Sequence, residues 1–532
     1  MTTLLCAAIF VDDADAALAA CHRAAEHGAD LVELRLDRFT GDPDAAIDLV
    51  ERCPLPAILT VRSAEEGGDY DGDDTARVSF LEAVALATPP SYVDLELATY
   101  QRSENLRQKI GLLVDHLEQP RPTPTGLILS THDFDRRPAD LERRVLAMAD
   151  APACRVIKAA WKARSLRDNL EAFDLVRARH KPTIALCMGE YGLPSRLLAK
   201  KFGALLTFAA VDDDAGTAPG QPTLQEVKNL YRWDALNPDT AVFGVIGHPV
   251  GHSLSPAIHN AGFDHTGFDG VYLPMPIPPE YEHFKATVLT WLEHDALGFG
   301  GASVTIPHKH NLLRFVEEQG GEIEPLSIQI GAANTLVKRD DGSLFCCNTD
   351  YAAAIDSLCE VGGLSREAMA DKRIAVLGAG GAARAIVAGL SDLGATVVIY
   401  NRTREKADAL AEAFRDGPGK VVAAPLENLC KSCCHAVVNC TPLGMHPNVD
   451  ASPIDPGDAP WGKGGSGVVV FDTIYNPAET KLLCEAKAAG CVTVSGVEMF
   501  VRQAQRQFEL WTKRAAPLAV FRSVVRAALS HD

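Results

Sequence analysis

This 532-residue sequence has too little positive charge for a nucleic-acid-binding protein. It contains 51 Lys and Arg against 70 Asp and Glu, which gives a formal net charge of −19. A chain of this charge repels phosphate backbones. The sequence therefore excludes nucleic acid as a partner, and any anionic small molecule would have to be held by local arginines and lysines.

Long apolar runs are absent as well. No stretch of about 18 apolar residues occurs, so no membrane-spanning helix and no membrane partner are expected. The N-terminus, Met1 to Cys6, lacks the basic region of a secretory signal and enters a strand-like run directly. We therefore expect a cytoplasmic protein.

The 14 cysteines do not form a recognisable disulfide or metal framework. Most stand inside apolar runs, as Cys187 does, which is typical of free thiols in a reducing cytosol. The cluster Cys430–His435 holds three cysteines and a histidine, and a zinc site there is an alternative interpretation. It lacks a well-spaced second pair of ligands, so we expect no metal.

The length predicts two or three domains. A joint falls between residues 221 and 240, where turn-prone residues such as Pro222 and Pro238 flank the helix-like run Leu224–Ala235. A fresh apolar strand starts at Ala241. We expect a docked helix with a short tether between two modules, and not a long flexible linker.

The first module repeats one pattern. Eight apolar, strand-like runs recur about every 25–30 residues, with helix-like segments between several of them, including Asp13–His27, Asp44–Cys53 and Leu141–Met148. Eight β-α repeats in about 230 residues predict a (β/α)₈ barrel, in which chemistry lies at the carboxyl ends of the strands. The predicted strands are Leu4–Phe10, Leu31–Asp37, Ala57–Arg62, Tyr92–Leu97, Thr125–Phe134, Val156–Trp161, Thr183–Gly189 and Leu205–Val211.

Polar residues stand at the carboxyl ends of all these strands except the first. They are Glu33, Arg35 and Asp37 on strand two, Arg62 on strand three, Asp94 and Glu96 on strand four, Ser130 to Asp133 on strand five, Lys158 on strand six, Ser195 and Arg196 after strand seven, and Thr217 and Gln221 after strand eight.

Each of these residues has a structural alternative. Glu33 and Arg35 could be a plain ion pair, Lys158 could reach solvent from a strand end, and His132 could be a core residue. Their convergence on one barrel mouth favours an active site. A lysine with apolar neighbours beside a histidine suits Schiff-base chemistry, because burial favours the neutral amine and imidazole moves protons.

The first module resembles the type I 3-dehydroquinate dehydratases. The shared motifs are Glu-Leu-Arg-Leu-Asp, Thr-Val-Arg with Glu-Glu-Gly-Gly, Ser-Thr-His-Asp-Phe, Val-Ile-Lys-Ala-Ala, Met-Gly with Ser-Arg, and Ala-Pro-Gly-Gln, in the family's chain order. The resemblance implies that Lys158 forms an imine with the ring ketone of 3-dehydroquinate. It implies that His132 removes the neighbouring proton and then protonates the departing hydroxyl.

The same resemblance implies the residues that hold the substrate. They are Glu33, Arg35, Arg62, Arg196, Thr217 and Gln221. Thr217 departs from the family, in which serine is common at this position, but it keeps the hydroxyl group.

The second module begins with five predicted strands and continues with the strand-loop-helix pattern of a dinucleotide-binding domain. The strand Arg373–Leu377 leads into Gly378, Ala379, Gly380, Gly381 and Ala382 and then a helix, which matches G-x-G-x-x-A. Such glycines let backbone approach a pyrophosphate at a helix N-terminus, and the strand-loop-helix order strengthens a motif that is weak alone. The five earlier strands are Ala241–Gly247, Gly270–Ile277, Gly301–Thr305, Asn334–Arg339 and Ser343–Asn348.

The cofactor preference is predicted from the end of the next strand, Thr396–Tyr400. An acid is expected there for NAD, but Asn401, Arg402 and Thr403 follow, with Lys406 nearby. This pattern predicts the 2′-phosphate of NADP(H). The alternative is a surface arginine that caps a turn.

Candidate substrate residues occur before and within this second module's helices. Ser253 and Ser255 precede one helix, and paired hydroxyls there would form a carboxylate cradle. Ser255 could be only a helix cap, Lys309 only a solvated charge, and Asp350 only the cap of the helix Tyr351–Leu358.

The second module resembles the shikimate dehydrogenases. The shared features are Ser-Leu-Ser-Pro, Val-Thr-x-Pro-x-Lys, Gly-Ala-x-Asn-Thr, Asn-Thr-Asp, Gly-Ala-Gly-Gly-Ala, Asn-Arg-Thr, Asn-x-Thr-Pro-Leu-Gly-Met and Met-Phe-Val-x-Gln-Ala. The resemblance implies that Lys309 and Asp350 form a catalytic pair that protonates a carbonyl oxygen as NADPH delivers hydride. It implies substrate contacts from Ser253, Ser255, Thr305, Asn334, Tyr475 and Gln503, and further cofactor contacts from Thr441, Gly496 and Met499.

Two residues depart from this second family. Ser303 stands where many relatives have asparagine, as in the plant-type fused enzymes, and Ala353 stands where glycine often follows Asn-Thr-Asp. Neither change removes a catalytic group.

Together the resemblances imply a bifunctional enzyme of the shikimate pathway. They imply a TIM barrel over residues 1–232, a substrate-binding α/β domain over 241–350 with helices in 497–530 packed back on it, and a Rossmann NADP-binding domain over 351–496. We expect a monomer.

Two alternatives stay open. A non-catalytic metabolite sensor could share these domains, although such proteins tend to lose the chemical groups that are present here. The second module could instead be a quinate/shikimate dehydrogenase that uses NAD.

Overall fold

The computed structural model describes residues 2–114, 125–213, 216–217, 220–431, 434–455, 459–461 and 467–530, without the side chains of Cys430 and Lys431. The chain divides into two units. One contains Met1–Val242, Asp269–Ile277 and Ala286–Phe299, and the other contains Phe243–Phe268, Pro278–Lys285 and Gly300–Asp532.

Eight parallel strands form the first sheet, in the order β7-β6-β5-β4-β3-β2-β1-β8. The ends of this order approach each other, because the backbone N–H of Leu205 donates to Thr183 O over 3.0 Å. The predicted (β/α)₈ barrel is confirmed. Its strands are β1 Leu4–Phe10, β2 Leu31–Arg35, β3 Ala57–Thr60, β4 Tyr92–Glu96, β5 Gly126–Asp133, β6 Cys154–Lys162, β7 Thr183–Met188 and β8 Leu206–Ala209.

Capped helices connect the barrel strands. The Asp13 side chain accepts the Ala16 N–H at the start of α1, and the Asp42 side chain accepts the Ala45 N–H at the start of α2. The helices are α1 Ala14–Glu26, α2 Pro43–Arg52, α3 Asp74–Ala87, α4 Leu97–Arg102, α5 Glu104–Leu113, α6 Leu141–Asp150, α7 Asp168–Ala178, α8 Leu193–Leu197 and α9 Ala199–Phe202.

Apolar side chains fill the barrel interior and set where its polar mouth begins. Ile58, Ile128, Ile184 and Phe208 belong to one buried cluster contributed by the strands. Because the interior is packed, only the carboxyl ends of the strands are left to line a cavity.

The predicted helix Leu224–Ala235 is wrong as a continuous element. The structure has a π-helical turn at Glu226–Leu230 and a 3₁₀ turn at Trp233–Ala235. Arg232 lies between them with a φ of 57°, in the left-handed region that interrupts a right-handed helix. Its guanidinium is buried and donates to Gly270 O, which stabilises the break.

A six-stranded mixed sheet has the order β10-β9-β11-β13-β14-β12. β13 pairs antiparallel with β11 and with β14, and β12 is a short strand that the sequence pattern did not predict. The strands are β9 Ala241–Gly247, β10 Gly270–Pro276, β11 Phe299–Val304, β12 Glu322–Ile323, β13 Thr335–Lys338 and β14 Leu344–Cys347. The helices are α10 Ser255–Thr266, α11 Tyr281–Glu293, α12 Lys309–Glu318, α13 Pro325–Ile330 and α14 Thr349–Glu360.

The third sheet is fully parallel, in the order β17-β16-β15-β18-β19-β20. This is the doubly wound order in which ligands bind beyond the carboxyl ends of β15 and β18, and the predicted Rossmann fold is confirmed. The strands are β15 Arg373–Leu377, β16 Thr396–Tyr400, β17 Val421–Ala424, β18 Ala436–Asn439, β19 Val469–Asp472 and β20 Val492–Val494. The helices are α15 Gly381–Asp392, α16 Arg404–Ala413, α17 Lys481–Ala488, α18 Gly496–Thr512 and α19 Leu518–Leu529.

The two C-terminal helices pack on earlier elements of the same unit, α18 on α14 and α19 on α10. Within the described ranges, no helix has the length and apolar character needed to cross a membrane. The described side chains also contain no group of three or more His, Cys, Asp or Glu residues suited to a metal ion. Cys433 of the alternative zinc site lies outside the described residues.

Candidate active sites

Lys158 lies inside the barrel mouth and is 5% exposed. Its Nζ is 2.8 Å from Asp94 Oδ2 and 3.1 Å from Glu33 Oε1, and it lies over the Phe208 ring. The amine of this buried lysine therefore contacts carboxylates and not the apolar residues that flank it in the sequence. Ile157 and Ala159 are sequence neighbours that point to the opposite face of the strand, so the amine meets the carboxylates of other strands.

Asp94 connects this lysine to Arg62. Its Oδ1 accepts hydrogen bonds from Arg62 Nη2 at 2.8 Å and from Ser130 Oγ at 2.6 Å. Burial alone would raise the Asp94 pKa, but the Arg62 and Lys158 cations hold it well below its ordinary value. The carboxylate is therefore charged throughout the neutral pH range.

His132 at the end of β5 forms a pair with Glu66. Its Nδ1 is 3.0 Å from Glu66 Oε2, which also accepts the His132 backbone N–H at 2.9 Å. Burial and the nearby Arg62 and Lys158 cations lower the His132 pKa well below its ordinary value. An Nδ1–H that donates to the carboxylate leaves Nε2 of a neutral imidazole as a base.

Glu66 is a site residue that the sequence interpretation missed. Burial raises its pKa to about 7; Arg62 opposes the increase and Glu96 adds to it. The signal was present in Glu65-Glu66-Gly67-Gly68, because Gly67 adopts a φ of 77° and turns the chain back after Glu66. The motif does not indicate which of the two glutamates faces the cavity.

All the predicted dehydratase residues line one cavity of about 60 Å³. Arg196 is buried and forms no ion pair with any described residue, and burial lowers its pKa to about 10. Gln221 Oε1 accepts from Thr217, whereas its buried Nε2 has no partner among the described residues. Both groups are therefore available to a ligand carboxylate or hydroxyl. The predicted residues are Glu33, Arg35, Arg62, His132, Lys158, Arg196, Thr217 and Gln221.

Two strand-end residues have other partners. Arg35 Nε pairs with Asp37 Oδ1 at 2.8 Å, so the alternative of a Glu33–Arg35 ion pair is not what the structure contains. Ser195 Oγ donates to Gly192 O and accepts the Cys187 N–H, so its hydroxyl fixes α8, the short helix that carries Arg196, against the end of β7.

Lys309 and Asp350 meet in the second unit. Lys309 Nζ is 2.6 Å from Asp350 Oδ2, and Asn334 Nδ2 donates to Asp350 Oδ1 at 2.9 Å. Asn348 is the residue that caps α14, and its side chain accepts the Asp350 N–H. Lys309 is therefore ion-paired, and Asp350 is not the residue that caps the helix.

This pair lines a cavity of about 430 Å³ with the predicted substrate residues. Tyr475 stacks on Phe500 with ring centroids 4.9 Å apart, and Phe500, which the sequence interpretation missed, also lines the cavity. Ser303, which stands where many relatives have asparagine, also lines this cavity. The predicted residues found there are Ser253, Ser255, Thr305, Asn334, Tyr475, Gln503, Gly496 and Met499.

The glycine loop after β15 leaves open space above a helix N-terminus. A Cβ added at Gly380 or at Gly381 would meet no described atom within 4 Å, whereas a Cβ at Gly378 would lie 3.1 Å from Cys440 O. Ala379 and Ala382 complete the loop and the first turn of α15. The donors of this helix end are therefore accessible to a pyrophosphate, which fits a dinucleotide.

A cavity of about 220 Å³ lies at the carboxyl ends of β15 and β16. Asn401, Arg402 and Thr441 line it. Arg402 is exposed and pairs with no carboxylate among the described residues, so its guanidinium can bind an anionic group. Thr403 precedes α16 and Lys406 lies exposed on it, outside the lining of this cavity.

Family models match both halves of the chain. They are described as type I 3-dehydroquinase for residues 5–238, shikimate dehydrogenase substrate binding domain for 245–336, shikimate/quinate 5-dehydrogenase for 363–441, and shikimate 5′-dehydrogenase C-terminal domain for 496–526. The chloroplastic bifunctional 3-dehydroquinate dehydratase/shikimate dehydrogenase of Arabidopsis thaliana is 36% identical, over 98% of this chain and 83% of that protein.

The chain belongs to the bifunctional 3-dehydroquinate dehydratase/shikimate dehydrogenase family.

Two further similarities cover about half of this chain and nearly all of it. The NADP(+) shikimate dehydrogenase of Methanosarcina mazei is 42% identical, over 54% of this chain and 98% of that protein. A solved structure of dehydroquinate dehydratase and shikimate dehydrogenase from S. pombe is 25% identical, covers 99% of this chain and 98% of that one, and has a TM-score of 0.44.

Proposed function

We propose that this bifunctional enzyme dehydrates 3-dehydroquinate to 3-dehydroshikimate in the barrel and reduces 3-dehydroshikimate to shikimate with NADPH in the second module. The observation that carries the proposal is the position of the two amines. Lys158 lies between Glu33 and Asp94 in one cavity, and Lys309 lies 2.6 Å from Asp350 in another.

In the barrel, Lys158 attacks the ring ketone after its proton passes to a neighbouring carboxylate, and loss of water gives an iminium. Glu33 and Asp94 stabilise this cation as they stabilise the ammonium. Neutral His132 removes the proton from the adjacent carbon, and Glu66 stabilises the resulting imidazolium. The imidazolium then protonates the leaving hydroxyl, and water releases the product from Lys158.

Arg196 and Gln221 hold the substrate in this scheme. Arg196 is a buried cation without an acidic partner among the described residues, which suits the quinate carboxylate. The free Nε2 of Gln221 donates to a substrate oxygen. Glu33, Arg35, Arg62 and Thr217 contact the remaining hydroxyls.

In the second module, Lys309 donates a proton to the carbonyl oxygen of 3-dehydroshikimate, and Asp350 holds the amine in position. Ser253 and Ser255 hold the carboxylate. NADPH supplies the hydride when it is bound. The remaining residues that orient the substrate ring are Thr305, Asn334, Tyr475 and Gln503.

The cofactor is proposed to be held in two places. The loop Gly378–Ala382 takes the pyrophosphate at the N-terminus of α15. Asn401, Arg402, Thr403 and Lys406 would hold the 2′-phosphate, a group that an arginine and a lysine recognise and that NAD lacks. Gly496 and Met499, which line the Lys309 cavity, would contact the nicotinamide end, whereas Thr441, which lines the cavity of Arg402, would contact the opposite end of the dinucleotide.

The domain boundaries 1–232, 241–350 with helices in 497–530, and 351–496 are part of the proposal, as are a monomeric state and a cytoplasmic location. Light scattering of the purified chain tests the oligomeric state, and fractionation of the source cells tests the location. The Arabidopsis relative is named as a chloroplastic protein, and that location is a property of the relative.

The purified chain should convert 3-dehydroquinate and NADPH to shikimate, with one NADPH oxidised per shikimate formed. Mass spectrometry identifies the product, and parallel assays with NADH measure cofactor preference. A metabolite sensor would consume neither reactant, and faster turnover with NADH would refute the role given to Arg402.

A further inference from the structure

Arg77 on α3 is a fully buried arginine that does not line the barrel cavity. It is 1% exposed, and its guanidinium donates to Val61 O at 2.8 Å, to Asp74 Oδ1 at 2.6 Å and to Thr99 Oγ1 at 2.7 Å. It therefore joins α3 to the carboxyl ends of β3 and to the start of α4. Burial of a guanidinium is costly unless its charge is paired.

The charge of Arg77 is paired with Glu96 at the end of β4. Arg77 Nη1 is 2.9 Å from Glu96 Oε2. The other oxygen of the same carboxylate, Oε1, accepts hydrogen bonds from Arg62 Nη1 at 3.0 Å and from the Ser63 backbone N–H at 3.0 Å. Glu96 thus connects an arginine outside the cavity to an arginine in its wall.

The bond to Ser63 reaches the general base. Ser63 caps the 3₁₀ turn Ala64–Glu66, and the last residue of this turn is the partner of His132. A carboxylate that fixes Arg62 and Ser63 therefore fixes both the substrate-facing arginine and the turn that orients the imidazole. Such supporting contacts hold catalytic groups in productive geometry.

We propose that Arg77, acting through Glu96, is a positioning residue for the dehydratase reaction. It holds Glu96 in the orientation that fixes Arg62 and presents Glu66 to His132. This inference rests on the dehydratase function proposed above.

A purely structural role makes a different prediction, because Arg77 also joins α3 to Val61 and Thr99. If Arg77 acts through Glu96, its loss matters only while Glu96 is present. If it merely holds α3 in place, its loss costs the same whether or not Glu96 is charged. A double-mutant cycle separates the two cases.

The pH dependence of dehydration gives a second readout. The charged groups that face Glu66 are Arg62, Asp94 and Glu96, the neutral His132 is its hydrogen-bond partner, and the Glu96 charge raises the Glu66 pKa. Glu96→Gln removes that charge, so Glu66 should lose its proton at lower pH. The acid limb of the dehydration profile should then move to lower pH.

The test measures kcat and KM for dehydration across pH in Arg77→Met, Arg77→Lys, Glu96→Gln and the double variant Arg77→Met/Glu96→Gln. Reduction of added 3-dehydroshikimate by each sample reports on the rest of the chain. Arg77→Met should lower kcat by roughly 10- to 100-fold, and Arg77→Lys should recover part of this loss because it keeps the cation. In the Glu96→Gln background, Arg77→Met should cost less than about threefold.

The inference is overturned if Arg77→Met leaves kcat within about twofold of wild type, or if it costs the same factor in both backgrounds. An acid limb that does not move in Glu96→Gln also contradicts it. If Arg77→Met does not fold, Arg77→Lys takes its place in the same cycle. A wild-type chain without dehydratase activity would refute the proposed function and this inference with it, whereas the outcomes above overturn the inference alone.

Discussion

Lys158 and Lys309 are the two amines of the proposed reactions, and their surroundings contrast. Lys158 has a side chain that is 6% exposed, and two carboxylates from different strands hold its Nζ. Lys309 has a side chain that is 31% exposed and one carboxylate partner, Asp350. The cavity around Lys158 is also the smaller of the two. Its volume is about 60 Å³, against about 430 Å³ for the cavity around Lys309.

The contrast fits the chemistry that we propose for each amine. An amine that becomes covalently bonded to substrate needs its charge and position fixed by the protein before the substrate arrives. An amine that only donates a proton can be completed by the substrate and cofactor that fill the larger cavity. No described residue lines both cavities, so each reaction should be separable by mutation.

The largest expected effect is the loss of the buried amine. Lys158→Met should lower the dehydration rate by at least about 10⁴-fold, because no other group can form the imine. Reduction of added 3-dehydroshikimate should stay within about twofold of wild type. Borohydride treatment with 3-dehydroquinate should add mass to the peptide containing Lys158 in the wild-type chain and none to the corresponding peptide of Lys158→Met.

Lys162→Met is the matched control, because Lys162 is an exposed lysine at the end of the same strand. It should retain both the rate and the adduct. An adduct on the Lys158→Met chain would contradict the assignment of the imine.

The second effect tests the more open site. Asp350→Asn should lower the rate of 3-dehydroshikimate reduction by about 10²- to 10³-fold, because Lys309 loses the charge that orients it. Dehydration should be unchanged. Asp340→Asn, at an exposed aspartate of the same unit, is the control. Equal rates in both variants would remove Asp350 from the mechanism.

The third effect separates the sites by pH. Glu66 has a pKa of about 7, so it gains a proton as the pH falls through this value and can no longer accept from His132. Dehydration should therefore decline below about pH 7, whereas reduction should not share that limb.

Glu66→Gln should remove this limb and lower kcat for dehydration by roughly 10- to 100-fold, as expected for a weakened general base. Glu65→Gln is the control, because its exposed carboxylate pairs with Arg102. A limb that persists in Glu66→Gln would assign the ionisation to another group.

The smallest expected effect concerns the cofactor. Arg402→Gln should raise the KM for NADPH by roughly tenfold, because one charge-assisted contact to the 2′-phosphate is lost, and should leave the KM for NADH unchanged. Arg404→Gln is the control, since Arg404 pairs with Asp408 on α16. An equal increase for both cofactors would mean that Arg402 does not recognise the phosphate.

The sequence was sufficient to predict which strands form and which residues stand at their carboxyl ends. The bounds of β1, β9, β15 and β16 agree with the predicted runs. Because parallel strands end at one edge, residues as distant as Glu33 and Lys158 could be placed in one cavity without knowledge of side-chain positions. Hydrophobic alternation and topology were sufficient for these predictions.

The parts that could not be predicted depend on individual dihedral angles and on closure of the fold. The positive φ of Arg232 interrupts the expected helix at the joint, although its sequence favours a helix. The turn that selects Glu66 over Glu65, and the carboxylates around Lys158, come from contacts between strands that are distant in sequence. The hydrophobic periodicity of a sequence contains no information about such contacts.

The most direct test of two separable sites is to mix two chains, each with one amine removed. Lys158→Met alone should leave 3-dehydroquinate unconsumed, and Lys309→Met alone should stop at 3-dehydroshikimate. With NADPH, the mixture should convert 3-dehydroquinate to shikimate after a lag in which 3-dehydroshikimate accumulates. A mixture that forms no shikimate while the wild-type chain does would contradict the account.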